Sequence, residues 1–357
     1  MNVVKKLEEL KKSINPEIEK YFARIIKETE KVDKNITEAI KHVRKIILSG
    51  GKRARAAFMY YGYLAAGGKE LEEIIKTSIS IELIHAFLLI HDDIIDQDEK
   101  RHGVTTVHKY YAKLSRKFLK NRNPEHFGNS MGIIIGDMVG ALGNQVLFES
   151  KFDSKSVIKA LSKLQSIVSL TVVGQTEDVF MENKGKATEK EILQMYENKT
   201  ARYTVEGPLH LGAILGGAND KLLKALSEYS IPIGIAFQIQ DDILGIFGNE
   251  EKMGKSVGSD VRQGKQTILV AKAYEKADSK QKKILNKTLG NRDLTLKEFG
   301  EFKKIIVETG SLEYAKNLAM KLVVKGKNTL SGGNVKIKKE TREFLLEIGN
   351  YIINRNV

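Results

Sequence analysis

The 357-residue chain contains no cysteine, no tryptophan and only four prolines. The absence of cysteine excludes disulfide bonds and thiolate metal sites, and it fits a reducing, cytoplasmic compartment. The N-terminal segment is charged from Lys5 onward, so it lacks the apolar core of a signal peptide. Scarce proline leaves long helices uninterrupted. These absences favour a cytoplasmic protein rich in helix.

Long hydrophobic runs are absent as well. The most apolar stretch, residues 79–90, is short and contains Glu82 and His85, so we expect no membrane span. The net charge is +14, but lysines alternate with glutamates along the chain instead of forming one basic block. Such mixing is typical of a solvated surface. We expect no nucleic-acid partner, because that class of protein needs clustered arginines and aromatics.

The sequence has strong helical periodicity, with paired glycines at the predicted turns. No change of composition divides it, so we expect an all-α fold with a single domain over residues 1–357. Segment 114–130 is polar, contains a proline, and predicts a loop or short-helix insertion. The predicted helices cover residues 53–66, 70–96, 132–149, 156–181, 190–197, 201–215, 221–229 and 233–246.

Two acidic motifs each end a long apolar helix: IHDDIID near residue 92 and IQDDILG near residue 241. On a helix, Asp92 and Asp96 share one face, and Gln238 shares a face with Asp241. Like charges at this spacing repel each other, so a cation is expected to compensate them. One such motif alone is more often a solvated helix end. Two of them favour a metal site.

Hard oxygen ligands suit Mg²⁺, which commonly bridges a carboxylate to a substrate phosphate. The acidic motifs therefore predict a phosphorylated substrate. GGKRARA places Lys52 and Arg55 three residues apart, at a predicted helix N-terminus suited to anions. Further candidate phosphate-binding residues are Arg101, Lys199, Thr200, Lys255 and Lys265.

The segments GGKRAR, ELIHAFLLIHDDIIDQDEKRHG, GQTED, NKTA and FQIQDDILGIFG…GKSVGSD occur in a familiar order and spacing. They resemble the trans-isoprenyl diphosphate synthases, the family of farnesyl and geranylgeranyl diphosphate synthases. The resemblance covers about residues 45–270, and DDILG and KQTILV look most like the archaeal branch. It implies an all-α helical bundle around a deep central cavity, and a homodimer.

The resemblance also implies a reaction, the Mg²⁺-dependent head-to-tail (1′-4) condensation of isopentenyl diphosphate with allylic diphosphates. Three Mg²⁺ ions would bind the allylic diphosphate through Asp92, Asp96 and Asp241. Isopentenyl diphosphate would be held by Lys52, Arg55 and His85. The allylic diphosphate would be held by Arg101, Lys199, Thr200, Gln238, Lys255 and Lys265. The catalytic set would be Asp92, Asp96, Arg101, Lys199, Asp241 and Lys255.

Two positions depart from the family pattern. The family usually has two arginines after the first motif, whereas here Arg101 is followed by His102, and a neutral imidazole is a weaker diphosphate partner. A contact of His102 with isopentenyl diphosphate is therefore uncertain. Gly245 ends the second motif where many members have a third aspartate. Since Asp241 is the more important ligand, activity is still expected.

Product length in this family depends on residues four and five positions before the first motif, here Leu88 and Phe87. A single aromatic at the deeper position resembles enzymes with a 20-carbon product, and a 15-carbon product or a mixture stays open. Helical periodicity places Leu88 on the face of the aspartates, but not Phe87.

The main alternative is a non-catalytic, synthase-like regulatory subunit. Such a chain would be expected to lose motif residues, and here nearly all are present. A terpene cyclase would have no need for Lys52, Arg55 and His85.

Overall fold

The chain folds into helices that surround one deep cavity. The computed structural model describes residues 2–118, 123–248, 257–331 and 336–354. The prediction of an all-α fold is confirmed. The helices are α1 (Val3–Thr29), α2 (Lys34–Ser49), α3 (Ala54–Ala65), α4 (Leu71–Asp96), α5 (Val107–Phe118), α6 (Pro124–Phe148), α7 (Ser154–Lys184), α8 (Glu189–Tyr196), a π-helical segment (Glu197–Glu206), α9 (Gly207–Leu215), α10 (Asp220–Phe247), α11 (Ser259–Gln263), α12 (Ile268–Lys276), α13 (Ser279–Thr288), α14 (Leu296–Glu308), α15 (Ser311–Ser331) and α16 (Lys339–Ile353).

Helix α6 begins earlier than predicted, at Pro124 instead of residue 132. Proline is favoured in the first turn, where its missing N–H is not needed, and the Asn123 side chain accepts a hydrogen bond from the His126 amide at 3.1 Å. The described part of segment 114–130 is therefore the end of α5 and the start of α6. That the segment is an insertion stays a prediction.

Two predicted helix breaks are absent from the described chain. Pro232 lies inside α10, which runs unbroken from Asp220 to Phe247. The proline removes one backbone hydrogen bond, but Tyr229, Pro232 and Ile233 are all buried in the bundle, and this packing outweighs the loss.

The break predicted near residue 200 is instead a change of helical geometry. Helix α8, the π-helical segment and α9 follow one another without interruption from Glu189 to Leu215. π-helical turns are rare and occur most often at functional sites. The widened turns carry Lys199 and Thr200 toward the central cavity.

One short hairpin connects α4 to α5. Strand β1 (Lys100–Arg101) pairs antiparallel with β2 (Val104–Thr105), and the turn between them consists of His102 and Gly103. Both residues have positive φ, 50° and 77°, as the two-residue turns that match strand twist require. The hairpin fixes the position of His102 beside the turn at Gly50, which precedes α3.

Within the described part of the chain, three helices have the length and apolar composition of a membrane span: Leu71–Asp96, Pro124–Phe148 and Ser154–Lys184. The expectation of no membrane span rested on the short apolar stretch at residues 79–90. That argument was wrong, because α4 as a whole is longer than this stretch. In the most apolar 18-residue part of α4, 61% is buried inside the bundle. The absence of a membrane span stays a prediction.

Helices α3 and α9 cross at two glycines. An ideal Cβ at Gly62 would lie 2.8 Å from the carbonyl carbon of Leu209, and one at Gly212 would overlap the Met59 carbonyl oxygen. The neighbouring atoms belong to the backbone and cannot rotate away. Glycine is therefore required at both positions for the two helices to approach this closely.

We predict that Gly212→Ala lowers the free energy of unfolding by about 3 kcal/mol, because overpacking against backbone forces the helices apart. Denaturant unfolding monitored by circular dichroism would measure the change. The matched control is Gly300→Ala at an exposed position of α14, where an added Cβ meets nothing within 4 Å. That substitution should stabilise the helix by up to about 1 kcal/mol. Equal stability of the two variants would contradict the prediction.

Candidate functional site

A basic turn precedes α3. Arg53 has left-handed backbone geometry, with φ of 54°, and is almost fully buried. Its guanidinium donates to the Asn15 side chain at 2.9 Å, to the Ile47 carbonyl at 2.7 Å and to Glu82 at 3.3 Å. Glu82 also accepts from the Ala56 amide at 3.2 Å. This buried ion pair holds the turn, and sequence reasoning missed both residues.

Lys52 and Arg55, on either side of Arg53, line the central cavity. Lys52 donates a hydrogen bond to the Tyr351 hydroxyl of α16. Arg55 lies over the Tyr203 ring at 4.8 Å and donates to Thr204 at 2.9 Å. The turn thus presents two cations to the cavity, as the sequence predicts.

His85 of α4 lies 3.1 Å from Arg55, measured between Nε2 and Nη1. Burial, and then the positive charge of Arg55, hold the pKa of His85 well below its usual range. The imidazole is therefore neutral, with Nε2 accepting from Arg55. Its Nδ1 is buried and has no hydrogen-bond partner among the described residues.

His102 packs against the same turn. An ideal Cβ at Gly50 would be 2.6 Å from the His102 Nδ1, so the ring lies directly on the Gly50 backbone. Burial, followed by the charges of Arg101 and Arg53, lowers the pKa of His102. The imidazole lines the cavity in its neutral form, so it can contact an anion only as a hydrogen-bond donor.

The aspartates of the first motif divide into two groups. Asp92 and Asp96 line the cavity, where Asp92 is 3.9 Å from Lys199 and Asp96 is 3.0 Å from Lys265. Asp93 is buried and accepts two hydrogen bonds from Arg101. Burial raises the pKa of Asp93 to about 6, against the opposing effect of Arg101.

Arg101, predicted to hold the allylic diphosphate, lines the cavity but is ion-paired and mostly buried. Its guanidinium contacts Asp93 and lies 3.0 Å from Asp98. In this structure it anchors the hairpin to the end of α4. Its diphosphate contact stays a prediction.

The second motif is also divided. Asp241 and Asp242 both line the cavity, but Asp242 is almost fully buried and accepts from the Tyr196 hydroxyl and, at 2.9 Å, from Gln238. Burial raises the pKa of Asp242 to about 8. Gln238 accepts from the Thr200 hydroxyl at 2.6 Å. Asp242 therefore orients the predicted ligands Gln238 and Thr200.

Asp260 occupies the space beside Gly245, the position at which the motif lacks its third aspartate. An ideal Cβ at Gly245 would be 2.9 Å from the Asp260 Oδ2. Asp260 lines the cavity together with Asp241. A carboxylate from α11 thus reaches this part of the cavity.

Asp178 of α7 connects two predicted phosphate-binding lysines. It is buried and accepts from Lys199 at 2.6 Å and from Lys265 at 3.2 Å. Burial would raise the pKa of Asp178, but the two lysines lower it. Burial likewise lowers the pKa of each lysine, but the neighbouring carboxylates, Asp178 foremost, outweigh burial and raise both pKa values. The sequence offered one signal for Asp178, an acidic side chain in the GQTED segment of an otherwise apolar helix.

These residues line one cavity of about 1,070 Å³. Phe87 and Leu88 line it too, so both predicted chain-length positions reach the same space. Lys255 lies outside the described residues. The site residues of the described chain that line the cavity are Lys52, Arg55, His85, Asp92, Asp96, Arg101, His102, Lys199, Thr200, Gln238, Asp241 and Lys265.

The carboxylates are suitable ligands for a hard divalent cation. Asp92, Asp96 and Asp241 supply only oxygen atoms, and two of them already lie beside a cation, Asp92 at 3.9 Å from Lys199 and Asp96 at 3.0 Å from Lys265. Within the described residues, no group of three or more metal-binding side chains is close enough to hold an ion by itself.

Carboxylates and cations that converge on one deep cavity of an all-α bundle define an isoprenoid-synthase type of enzyme. The family model for polyprenyl synthetases matches residues 34–306. The chain is 33% identical to geranylgeranyl diphosphate synthase of Methanosarcina mazei over 318 residues, covering 89% of this chain and 90% of the relative. It is 37% identical to the geranylgeranyl diphosphate synthase of Saccharolobus solfataricus over 290 residues, 81% of each chain.

The fold is also similar to that of a solved structure. The crystal structure of geranylgeranyl pyrophosphate synthase from Corynebacterium glutamicum, complexed with isoprenyl diphosphate and magnesium, superposes with a TM-score of 0.92. It is 29% identical, and the match covers 98% of this chain and 99% of that one. The chain belongs to the polyprenyl synthetase family, and it is a prenyltransferase.

We predict that Glu82→Gln lowers the free energy of unfolding by about 3–5 kcal/mol, because Arg53 would keep a buried and uncompensated charge. Denaturant unfolding would measure this. Glu308→Gln is the control, since Glu308 lies at the surface, where it pairs with Lys304 at 3.5 Å and accepts a hydrogen bond from Gln281 at 3.2 Å, and it should change stability by less than about 1 kcal/mol. Similar effects of both substitutions would contradict the role assigned to the buried pair.

Proposed function

We propose that this chain condenses isopentenyl diphosphate with allylic diphosphates and makes geranylgeranyl diphosphate as its main product. The observation that carries the proposal is the pairing of two cationic groups along one cavity. Lys52 and Arg55, with the neutral His85 beside them, form one group, and Lys199 and Lys265 form the other beside the carboxylates. Two diphosphates are the substrates that such an arrangement would hold together.

In the proposed reaction, the carbon–oxygen bond of the allylic diphosphate breaks and inorganic diphosphate leaves. The double bond of isopentenyl diphosphate attacks the resulting allylic cation and forms the new carbon–carbon bond. Loss of one proton, to the released diphosphate, completes the step. Bound Mg²⁺, held by Asp92, Asp96 and Asp241, would neutralise charge on the leaving diphosphate. The number of ions stays a prediction.

The protein itself binds and orients the diphosphates and protects the allylic cation from water. Lys199 and Lys265 are held by Asp178 at 2.6 and 3.2 Å, so their charges are in place before the diphosphate arrives. Thr200 and Gln238 are oriented by Asp242 through the chain of hydrogen bonds described above. An apolar lining around Phe87 and Leu88 excludes water, which would otherwise quench the allylic cation.

We also propose a homodimer, from a surface that we call the α6–α7 face. It consists of Ile133, Ile134 and Phe148 of α6 and Val172, Val173 and Phe180 of α7, all at least 46% exposed. Gln165 of α7 donates to Asn144 of α6 at 2.8 Å, so the two helices are neighbours at this point. An exposed apolar face of this kind marks an interaction surface. Its isologous partner would be a second copy.

We predict that the enzyme forms a prenyl diphosphate when it is incubated with isopentenyl diphosphate, one allylic diphosphate at a time, and Mg²⁺. Asp92→Asn should lower kcat/KM by at least about 1,000-fold, because that carboxylate acts on the charge that develops in the transition state. Thin-layer chromatography of labelled products would measure both. Asp220→Asn is the control, since its side chain is 99% exposed, and activity should not change.

An absence of condensation with every allylic diphosphate would contradict the proposal. It would support instead the alternative of a non-catalytic, synthase-like subunit.

We predict a dimer in multi-angle light scattering, and a shift toward monomer for Ile134→Lys, because the lysine would bury a charge at the α6–α7 face. The control is Val307→Lys on α14, whose 53% exposure is close to the 55% of Ile134. This variant should keep the mass of the wild type. A monomeric wild type, or an equal shift for both variants, would exclude the α6–α7 face as the interface.

A further inference from the structure

Phe87 forms part of the wall between the cavity and α6. Its ring lines the cavity and packs edge-on against His91, with ring centroids 5.0 Å apart and planes at 77°. None of the α6 side chains lines the cavity, and every residue of α6 is described. The ring therefore has the cavity on one side and α6 behind it.

The residue behind the ring is Gly140 of α6. An ideal Cβ at Gly140 would lie 3.2 Å from the Cγ of Phe87 and 3.3 Å from its Cδ2. These distances are shorter than ordinary carbon–carbon contacts, so any side chain at residue 140 would displace the ring by a few tenths of an ångström.

The direction of that displacement follows from the neighbouring contacts. Helices α4 and α6 are already in contact at the next turn, where an ideal Cβ at Gly143 would be 3.2 Å from the Ile84 amide nitrogen. Movement along α4 toward the acidic motif is blocked by His91, which lies against Gly136, 2.7 Å from its ideal Cβ. The open side is the cavity.

We propose that Gly140 is a specificity-determining residue for product length. Without a side chain at this position, Phe87 lies back against α6, and the cavity keeps the depth that a growing all-trans prenyl chain occupies. The inference rests on the proposed condensation reaction. It adds a position that neither lines the cavity nor belongs to a sequence motif, and that acts only through Phe87.

The test is the product distribution of Gly140→Ala with isopentenyl diphosphate and geranyl diphosphate. The displaced ring should reduce the ratio of 20-carbon to 15-carbon product by at least about tenfold, the effect that one methylene has in an apolar pocket. Phe87→Ser should lengthen the product. The double variant Phe87→Ser/Gly140→Ala should match Phe87→Ser, because the ring through which the added methyl acts is missing.

Gly143→Ala is the matched control. Its added methyl would meet the Ile84 side chain at 2.9 Å, and Ile84 is outside the set of described residues that line the cavity. Its product distribution should equal that of the wild type, whatever its effect on stability. Thermal unfolding would confirm that each variant is folded.

A wild type without condensation activity would defeat the proposed function itself. An active wild type, with Gly140→Ala giving the same products as Gly143→Ala, would overturn only the role of Gly140. Should Gly140→Ala alone not fold, Phe87→Leu/Gly140→Ala is compared with Phe87→Leu. A lower ratio of 20-carbon to 15-carbon product in the double variant supports the inference, and an unchanged ratio overturns it.

Discussion

The structure depends on a balance of opposite charges along one cavity. Asp178 binds Lys199 and Lys265, and these lysines in turn approach Asp92 and Asp96. Each charge is costly to bury alone, so the carboxylates and lysines must assemble together. The same balance prepares the site for substrate. When a diphosphate enters with its metal ions, the lysines and aspartates exchange one charged partner for another, so no isolated charge has to be desolvated.

A second constraint is close approach of backbones. Gly62 and Gly212 let α3 and α9 cross in contact, which places the basic turn of α3 beside the π-helical segment. Gly140 acts differently, because its missing side chain leaves room for the Phe87 ring behind the cavity wall. Cavity shape is thus set partly by residues that never touch the cavity, because a packed interior transmits displacement from one layer to the next.

The paired acidic motifs and GGKRARA were recognisable because helical periodicity alone places their charges on common faces. It placed Asp92 and Asp96 on one face, away from Asp93, but it could not show which side chains hold Asp93 and Asp242. All four aspartates line the cavity, but in each pair one is almost fully buried and held by a partner side chain, Asp93 by Arg101 and Asp242 by Tyr196. Asp178, Arg53 and Glu82 were missed for the same reason, since their roles depend on partners from other helices.

The sequence by itself determined the helical class, the family and the chemistry of the ligands, because these follow from local periodicity and from residue types at fixed spacing. The tertiary structure decided which of those residues meet. Helix α10 stays continuous across Pro232, and π-helical turns join two helices that were predicted to be separate. Phe87 lines the cavity, although helical periodicity does not place it on the face of the aspartates. In each case packing against distant helices outweighed the local preference of the chain.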